Sequence, residues 1–322
     1  MHSLVSTLQS AGHTVSVCLP NTQRSWIGKA HLVGRSIRPT YFRPGTLHKD
    51  DGVVSNRPLP PGSKQEEWIL VDSTPASCVQ VGLFHYFEER GPIDLVVSGP
   101  NYGRNTTAIF ALSSGTIGGA MEAATCGLKA IALSYAFFDR NHDPEIIAGA
   151  SKMSVRVIEY LAKNWDKSEN APHLYSVNVP LVKHVETTKV LWTQMLQNRW
   201  KSGSLMQAIE VPEEEDASPE EDEAKIREDE NQEETSAAGG LAEETGQYDG
   251  TEQEPQKHLR YRHKHFKWAP MFKDVHESVD EAPPGNDGWA VKEGYVRYET
   301  IYRCTSALRL RPRMGVTATK AN

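Results

Sequence analysis

From residue 1 to about residue 180, short apolar runs alternate with stretches whose apolar side chains recur every three or four positions. Leu4, Val5 and Leu8 fall at helical spacing, and Gly12 ends that helix. Thr14 to Cys18 then reads as a short strand closed by Pro20. Trp68 to Val71 is a second strand; Thr74 as N-cap and Pro75 at the first helical position open a helix that runs through Cys78, Val81, Gly82 and His85 towards Gly91. Ile93 to Val97 has the continuous apolar character of a buried strand and leads into a loop from Ser98 to Asn105. A helix starts near Ser114 and passes through Met121 and Ala124, followed by a strand at Ala130 to Leu133. A long helix from Pro144 to about Trp165 and a strand at Leu174 to Pro180 complete the series. This β/α alternation predicts an α/β, Rossmann-like three-layer α/β/α fold with a mostly parallel sheet. A helix feeding a strand within the first twenty residues also implies an earlier strand, so an upstream strand is expected and not found.

Beyond residue 202 the pattern changes. Residues 203–258 are charged and nearly free of large apolar side chains, too few to offset the entropy of ordering, and are expected to be a disordered acidic insert. Apolar signals resume at Phe266 and Trp268. The turn-rich stretch from Pro283, with Trp289 to Val291 and Gly294 to Val296, predicts a C-terminal β-arm or hairpin. The expected organisation is an α/β core over 1–202, the insert over 203–258, the β-arm over 259–298 and a basic tail over 299–322. The formal net charge of -7 belongs to the insert, and the remainder of the chain is basic, which suits an anionic substrate and suits solubility equally well.

No run approaches the length needed to cross a bilayer and no signal peptide is visible, so no membrane role and, by default, a cytoplasmic location are expected. Cys18, Cys78, Cys126 and Cys304 form no CxxC pair and read as structural thiols. No GxGxxG follows a strand, which weighs against a dinucleotide-dependent oxidoreductase. Nucleic-acid binding would rest only on Arg309 to Arg313 and His258 to Lys267, which surface solvation explains equally well.

Ligands in open α/β sheets bind outside the carboxyl ends of the strands. The loop Ser98 to Asn105 lies at such an end and carries two glycines and the amides Asn101 and Asn105. Ser114, Gly115 and Thr116 stand at a helix N-terminus, where free N–H groups and the dipole favour a phosphate. These residues are equally ordinary as turn formers and an N-cap. The histidines show no metal-binding spacing, and Glu122 reads as a solvated helix residue rather than a catalytic one.

Four ordered motifs add to this: Ser73 to Val79, Val96 to Asn105, Ser114 to Glu122 and Ala130 to Ser134. They resemble the SurE survival-protein family, which reads approximately GTPADCV, VVSGINxGxN, SGTVGAAMEG and AIAxS in the same order. Val177 to Pro180 and Gly288 to Val296 are similar to later family segments, and the longer loops resemble its fungal branch. The resemblance implies a metal-dependent phosphatase or nucleotidase acting on phosphate monoesters, nucleoside 5′- and 3′-monophosphates first, with Mg²⁺ or Mn²⁺ as cofactor and a homodimer or higher homo-oligomer as assembly. It implies Asn101 and Asn105 as catalytic residues, Ser25 and Asn101 as metal ligands, and Ser114, Gly115 and Thr116 as the phosphate-binding turn. The family's adjacent Asp pair after its first strand has no match; Asp50 and Asp51 carry the right letters but follow no apolar strand and read as a solvated loop. The expectation is therefore a weak enzyme or, alternatively, a non-catalytic phosphate- or nucleotide-binding protein.

Overall fold

The computed structural model describes residues 1–34, 36–138, 142–168, 171–209 and 265–302. By contact the chain forms two compact units: Met1–Lys201 with Lys273–Asn322, and Ser202–Phe272. Most of the expected insert and the basic tail beyond residue 302, Cys304 included, lie outside the described residues.

The first unit is built on two sheets. The larger has the order β5-β6-β7-β11-β8: Val96–Tyr102, Ala130–Ala136, Leu174–Pro180, Val296–Tyr302 and Val190–Trp192. Strands β5, β6 and β7 run parallel, β11 returns antiparallel beside β7, and β8 pairs parallel with β11. The smaller has the order β1-β4-β2-β3: Cys18–Pro20, Trp68–Val71, Pro39–Arg43 and Val53–Ser55, with β1 parallel to β4. Each sheet ends on a parallel strand, β1 in one and β5 in the other.

Period-2 alternation sends successive side chains of β6 and β7 to opposite faces. Ile131, Leu133, Tyr135, Tyr175, Val177 and Val179 meet the apolar stripe of α5 (Pro144–Lys163) and the Leu4 and Leu8 side of α1 (His2–Ser10). Ala130, Ala132 and Leu174 face the other way and meet α4 (Gly115–Thr125) through Ala120, Ala123 and Ala124. That is the expected α/β/α layering, and the short side chains of α4 let its axis lie close to the sheet.

Several local expectations are corrected. Strand β5 does not stop at Val97 but continues through Ser98-Gly99-Pro100-Asn101 with a register shift, so Asn101 lies on a strand rather than in a loop. The segment read as a β-arm strand at Trp289 to Val291 is helix α7 (Asp287–Lys292), because Asn286 caps it through Trp289 N at 2.9 Å. A further helix, α6 (Lys273–Asp280), precedes it. In the second unit, Met206–Ile209 (β9) pairs antiparallel with His265–Trp268 (β10), so order extends into the first residues of the expected insert. Cys18, Cys78 and Cys126 are free thiols; the neighbouring Cys18 thiol and burial push the Cys78 thiol up, which leaves it unreactive.

Candidate active site

Helix α4 begins at Gly115, with Ser114 Oγ accepting from Ile117 N at 3.1 Å. A helix closes no bonds for its first N–H groups, so those of Gly115 and Thr116 have no partner inside α4. Against this turn lies the segment Arg24 to Gly28: Gly28 N donates to Ser113 O at 2.8 Å. A methyl at Gly115 would stand 2.7 Å from Ile27 Cγ2, and one at Gly118 would run into the Gly28 carbonyl. Glycine at both positions is what lets the segment carrying Ser25 touch the helix. A methyl at Gly119 would likewise stand 2.7 Å from Ser98 Oγ, so the same helix also sits tightly on β5.

The Arg24–Lys29 segment is tied down at both ends. Arg24 Nη2 meets Asp72 Oδ1 at 2.7 Å beyond the end of β4. Lys29 Nζ meets Glu122 Oε2 at 2.6 Å, and Gln80 donates to the other oxygen of that carboxylate. Glu122 is buried, not solvated as its position in the sequence suggested. Burial works against its charge, but Lys29, Gln80 and His31 outweigh it and hold the carboxyl below its ordinary range. Ser25 itself is exposed and accepts from Gln23 Nε2 at 2.7 Å.

The two asparagines belong to a polar cluster at the strand ends. Asn101 on β5 is in register with Ser134 on β6, Ser134 with Asn178 on β7, and Asn178 with Arg297 on β11. Ser134, Asn178 and Arg297 are each 0% exposed, and alternation places the row on the face covered by α4. Asn105 lies across the row: its N donates to Asn178 Oδ1 at 3.0 Å and its Nδ2 to Ser134 Oγ at 2.6 Å. Arg297 Nη2 donates to Asn105 O at 2.9 Å. Among the described residues no donor meets Asn105 Oδ1. Beside Asn101, Tyr102 stacks on Phe137 at 4.6 Å and on His142 at 4.9 Å. Burial lowers the pKa of the neighbouring Arg104, whose Nη2 donates to Phe137 O.

The fold thus brings Ser25, Ser114, Gly115 and Thr116 together at one helix start, and Asn101 and Asn105 together on the adjoining strand ends. No hydrogen bond joins Ser25 to Asn101 among the described residues. Sequence reading missed Ser134, Asn178 and Arg297 as partners of Asn105; Ser134 closes one of the ordered motifs, but nothing in the sequence places Arg297 beside it. Asp51 is engaged within its own loop. It accepts from Thr46 N and Thr46 Oγ1, which lowers its pKa.

A hard dication prefers several oxygens, carboxylates foremost. Among the described residues no group of three or more Asp, Glu, His or Cys side chains is placed to hold a metal. Ser25 and Asn101 are neutral, and Ser25 is already engaged with Gln23. This donor set does not by itself fit Mg²⁺ or Mn²⁺.

Residues 1–202 match the family model described as "Survival protein SurE". A Saccharomyces cerevisiae protein described as "Probable tubulin--tyrosine ligase PBY1" is 42% identical over 207 residues, covering 58% of this chain and 27% of that protein. A protein named 5′-nucleotidase SurE from Ruegeria pomeroyi is 38% identical over 155 residues, 47% of this chain and 57% of that one. Its namesake from a Synechococcus strain is 32% identical over 202 residues, 62% of this chain and 66% of that one. The chain therefore spans about a quarter of the yeast relative and under two thirds of these bacterial ones. The SurE protein of Aquifex aeolicus superposes with a TM-score of 0.54 at 19% identity, covering 94% of this chain and 87% of that one, a likeness of fold. With the family model matched over 1–202 and its motifs standing at the strand ends and helix start just described, this chain belongs to the SurE family.

Proposed function

We propose that this site binds and hydrolyses phosphate monoesters, with nucleoside 5′- and 3′-monophosphates as the substrate class. The observation that carries the reading is the tight seating of the Arg24–Gly28 segment on the first turn of α4, next to the Asn101–Asn105 strand end. Ser114, Gly115 and Thr116 hold the phosphate through hydroxyls and the N–H groups that the helix start leaves without intrahelical partners. Asn101 lines its flank. Asn105 has its amide nitrogen committed to Ser134, so it faces the ligand with Oδ1, an acceptor. An acceptor there suits a donor such as the attacking water or a ribose hydroxyl, rather than a phosphoryl oxygen.

A divalent metal would polarise the phosphoryl group when bound. The chain's own candidates for it, Ser25 and Asn101, are neutral, so this chain turns over slowly and no step is assigned to the metal. The neutral donor set also favours a second reading, phosphate-monoester binding without turnover. A homodimer or higher homo-oligomer is proposed from family resemblance alone.

Phosphate release from p-nitrophenyl phosphate and nucleoside monophosphates, with and without Mn²⁺, tests the first reading. Slow release that Asn101→Ala abolishes supports it; no release from the folded chain moves the reading to binding without turnover.

A further inference from the structure

We propose that Asp287 and Arg297, contributed by the segment after the acidic insert, are positioning residues that set the main chain of the Asn105 loop. The proposal deepens the phosphate-monoester reading and rests on it for its functional consequence, but the clamp itself is read from geometry.

Asp287 is 0% exposed and opens α7. Its Oδ2 accepts from Thr107 N at 2.6 Å, and its Oδ1 accepts from Leu196 N at 2.8 Å and Gly288 N at 2.7 Å. Arg297, also 0% exposed, reaches Asn105 O with Nη2 at 2.9 Å, and the same nitrogen lies 3.9 Å from Asp287 Oδ2. Two main-chain groups two residues apart, Asn105 O and Thr107 N, are thus held by one buried cation and one buried carboxylate that also face each other.

The conformation being held is not one the chain takes unaided. Thr107 has φ of 67°, left-handed backbone that a β-branched residue avoids. Such a conformation persists only where its surroundings over-determine it. Here they do: Thr107 N is fixed by Asp287, and Asn105 is fixed through N, O and Nδ2 by Asn178, Arg297 and Ser134. The outcome is that Asn105 Oδ1, which meets no donor among the described residues, has a set direction.

The division of labour is specific. Ser134 and Asn178 come from the parallel strands that build the fold, whereas Asp287 and Arg297 come from α7 and β11. The clamp therefore makes the asparagine geometry depend on whether the C-terminal strand is docked on β7.

Amide hydrogen exchange on the full chain reads this directly, with Arg297→Met, Arg297→Lys and Asp287→Asn compared with the unaltered protein. Arg297→Met should speed exchange at least tenfold in 103–108, with β6 and β7 within about twofold, and Arg297→Lys should recover part of the protection. Asp287→Asn should act mainly on Thr107 N and serves alone if Arg297→Met does not fold. Where phosphate release is measurable, Arg297→Met should lower kcat about 100-fold with KM changed less than about threefold, the signature of a displaced group. Unchanged exchange in 103–108, or a rise spread evenly over β6 and β7, would overturn the proposal. A local exchange effect in Arg297→Met, with an unaltered protein that neither binds nor hydrolyses a phosphate monoester, would remove the phosphate reading and leave the clamp standing.

Discussion

Replacing Glu299 with glutamine isolates the charge imbalance buried behind the site. Glu299 is 2% exposed and lies 2.6 Å from Arg297 Nη1, but that guanidinium also faces Asp287. One cation thus faces two carboxyl groups away from water. Burial foremost, with Asp287 adding to it and Arg297 opposing, pushes the Glu299 carboxyl from an ordinary 4.5 up to about 7. Below pH 4.5 the folded and unfolded chains both hold this proton, and its contribution is full. Between 4.5 and about 7 the unfolded chain has released it and the folded chain has not, so stability falls as pH rises; above about 7 the loss is complete. At ~1.4 kcal/mol per pH unit the interval amounts to about 3 kcal/mol. Glutamine keeps the shape and cannot ionise. Urea unfolding of both proteins from pH 4.5 to 7.5 should therefore show Glu299→Gln gaining on the unaltered chain by about 3 kcal/mol across that range. Glu122, held below its ordinary range, acts in the opposite sense at acid pH but does so in both proteins and cancels. Parallel stability curves would refute the reasoning, as would a variant that gains at low pH instead.

Two further changes probe the helix start. Gly118→Ala improves helix propensity by ~1 kcal/mol but drives a methyl into the Gly28 carbonyl, main chain that cannot rotate away. We expect a net loss of about 1–2 kcal/mol in thermal or urea unfolding, and at least tenfold weaker AMP binding as the Ser25 segment is pushed off α4. Ser114→Ala removes the cap to Ile117 N and should cost ~1 kcal/mol, with a larger proportional loss in AMP affinity than in stability.

Much of this architecture is legible in the sequence because local and tertiary demands agree there. Trp68–Val71 and Leu174–Pro180 fall where their apolar runs put them, and Thr74, Pro75 and Ser114 mark helix starts that the structure realises through their side chains. The helix start at Ser114, Gly115 and Thr116 was visible for the same reason: capping chemistry is local. Gly99 and Pro100 misled because both are turn formers, while the sheet absorbs them in a register shift and carries Asn101 onto β5. Glu122 misled because an isolated acid on a helix is usually solvated, and nothing near it in sequence announces Lys29 and Gln80. The polar row is the part no local pattern could supply. Ser134, Asn178 and Arg297 come from three strands, and only strand register aligns them.

Titrating the folded chain with AMP and, separately, with adenosine by isothermal calorimetry asks whether the start of α4 is a phosphate-monoester site. AMP should bind at one site, adenosine should bind at least tenfold more weakly, and inorganic phosphate should compete with AMP. Equal affinity for AMP and adenosine, or no binding of AMP by the folded chain, would contradict that assignment.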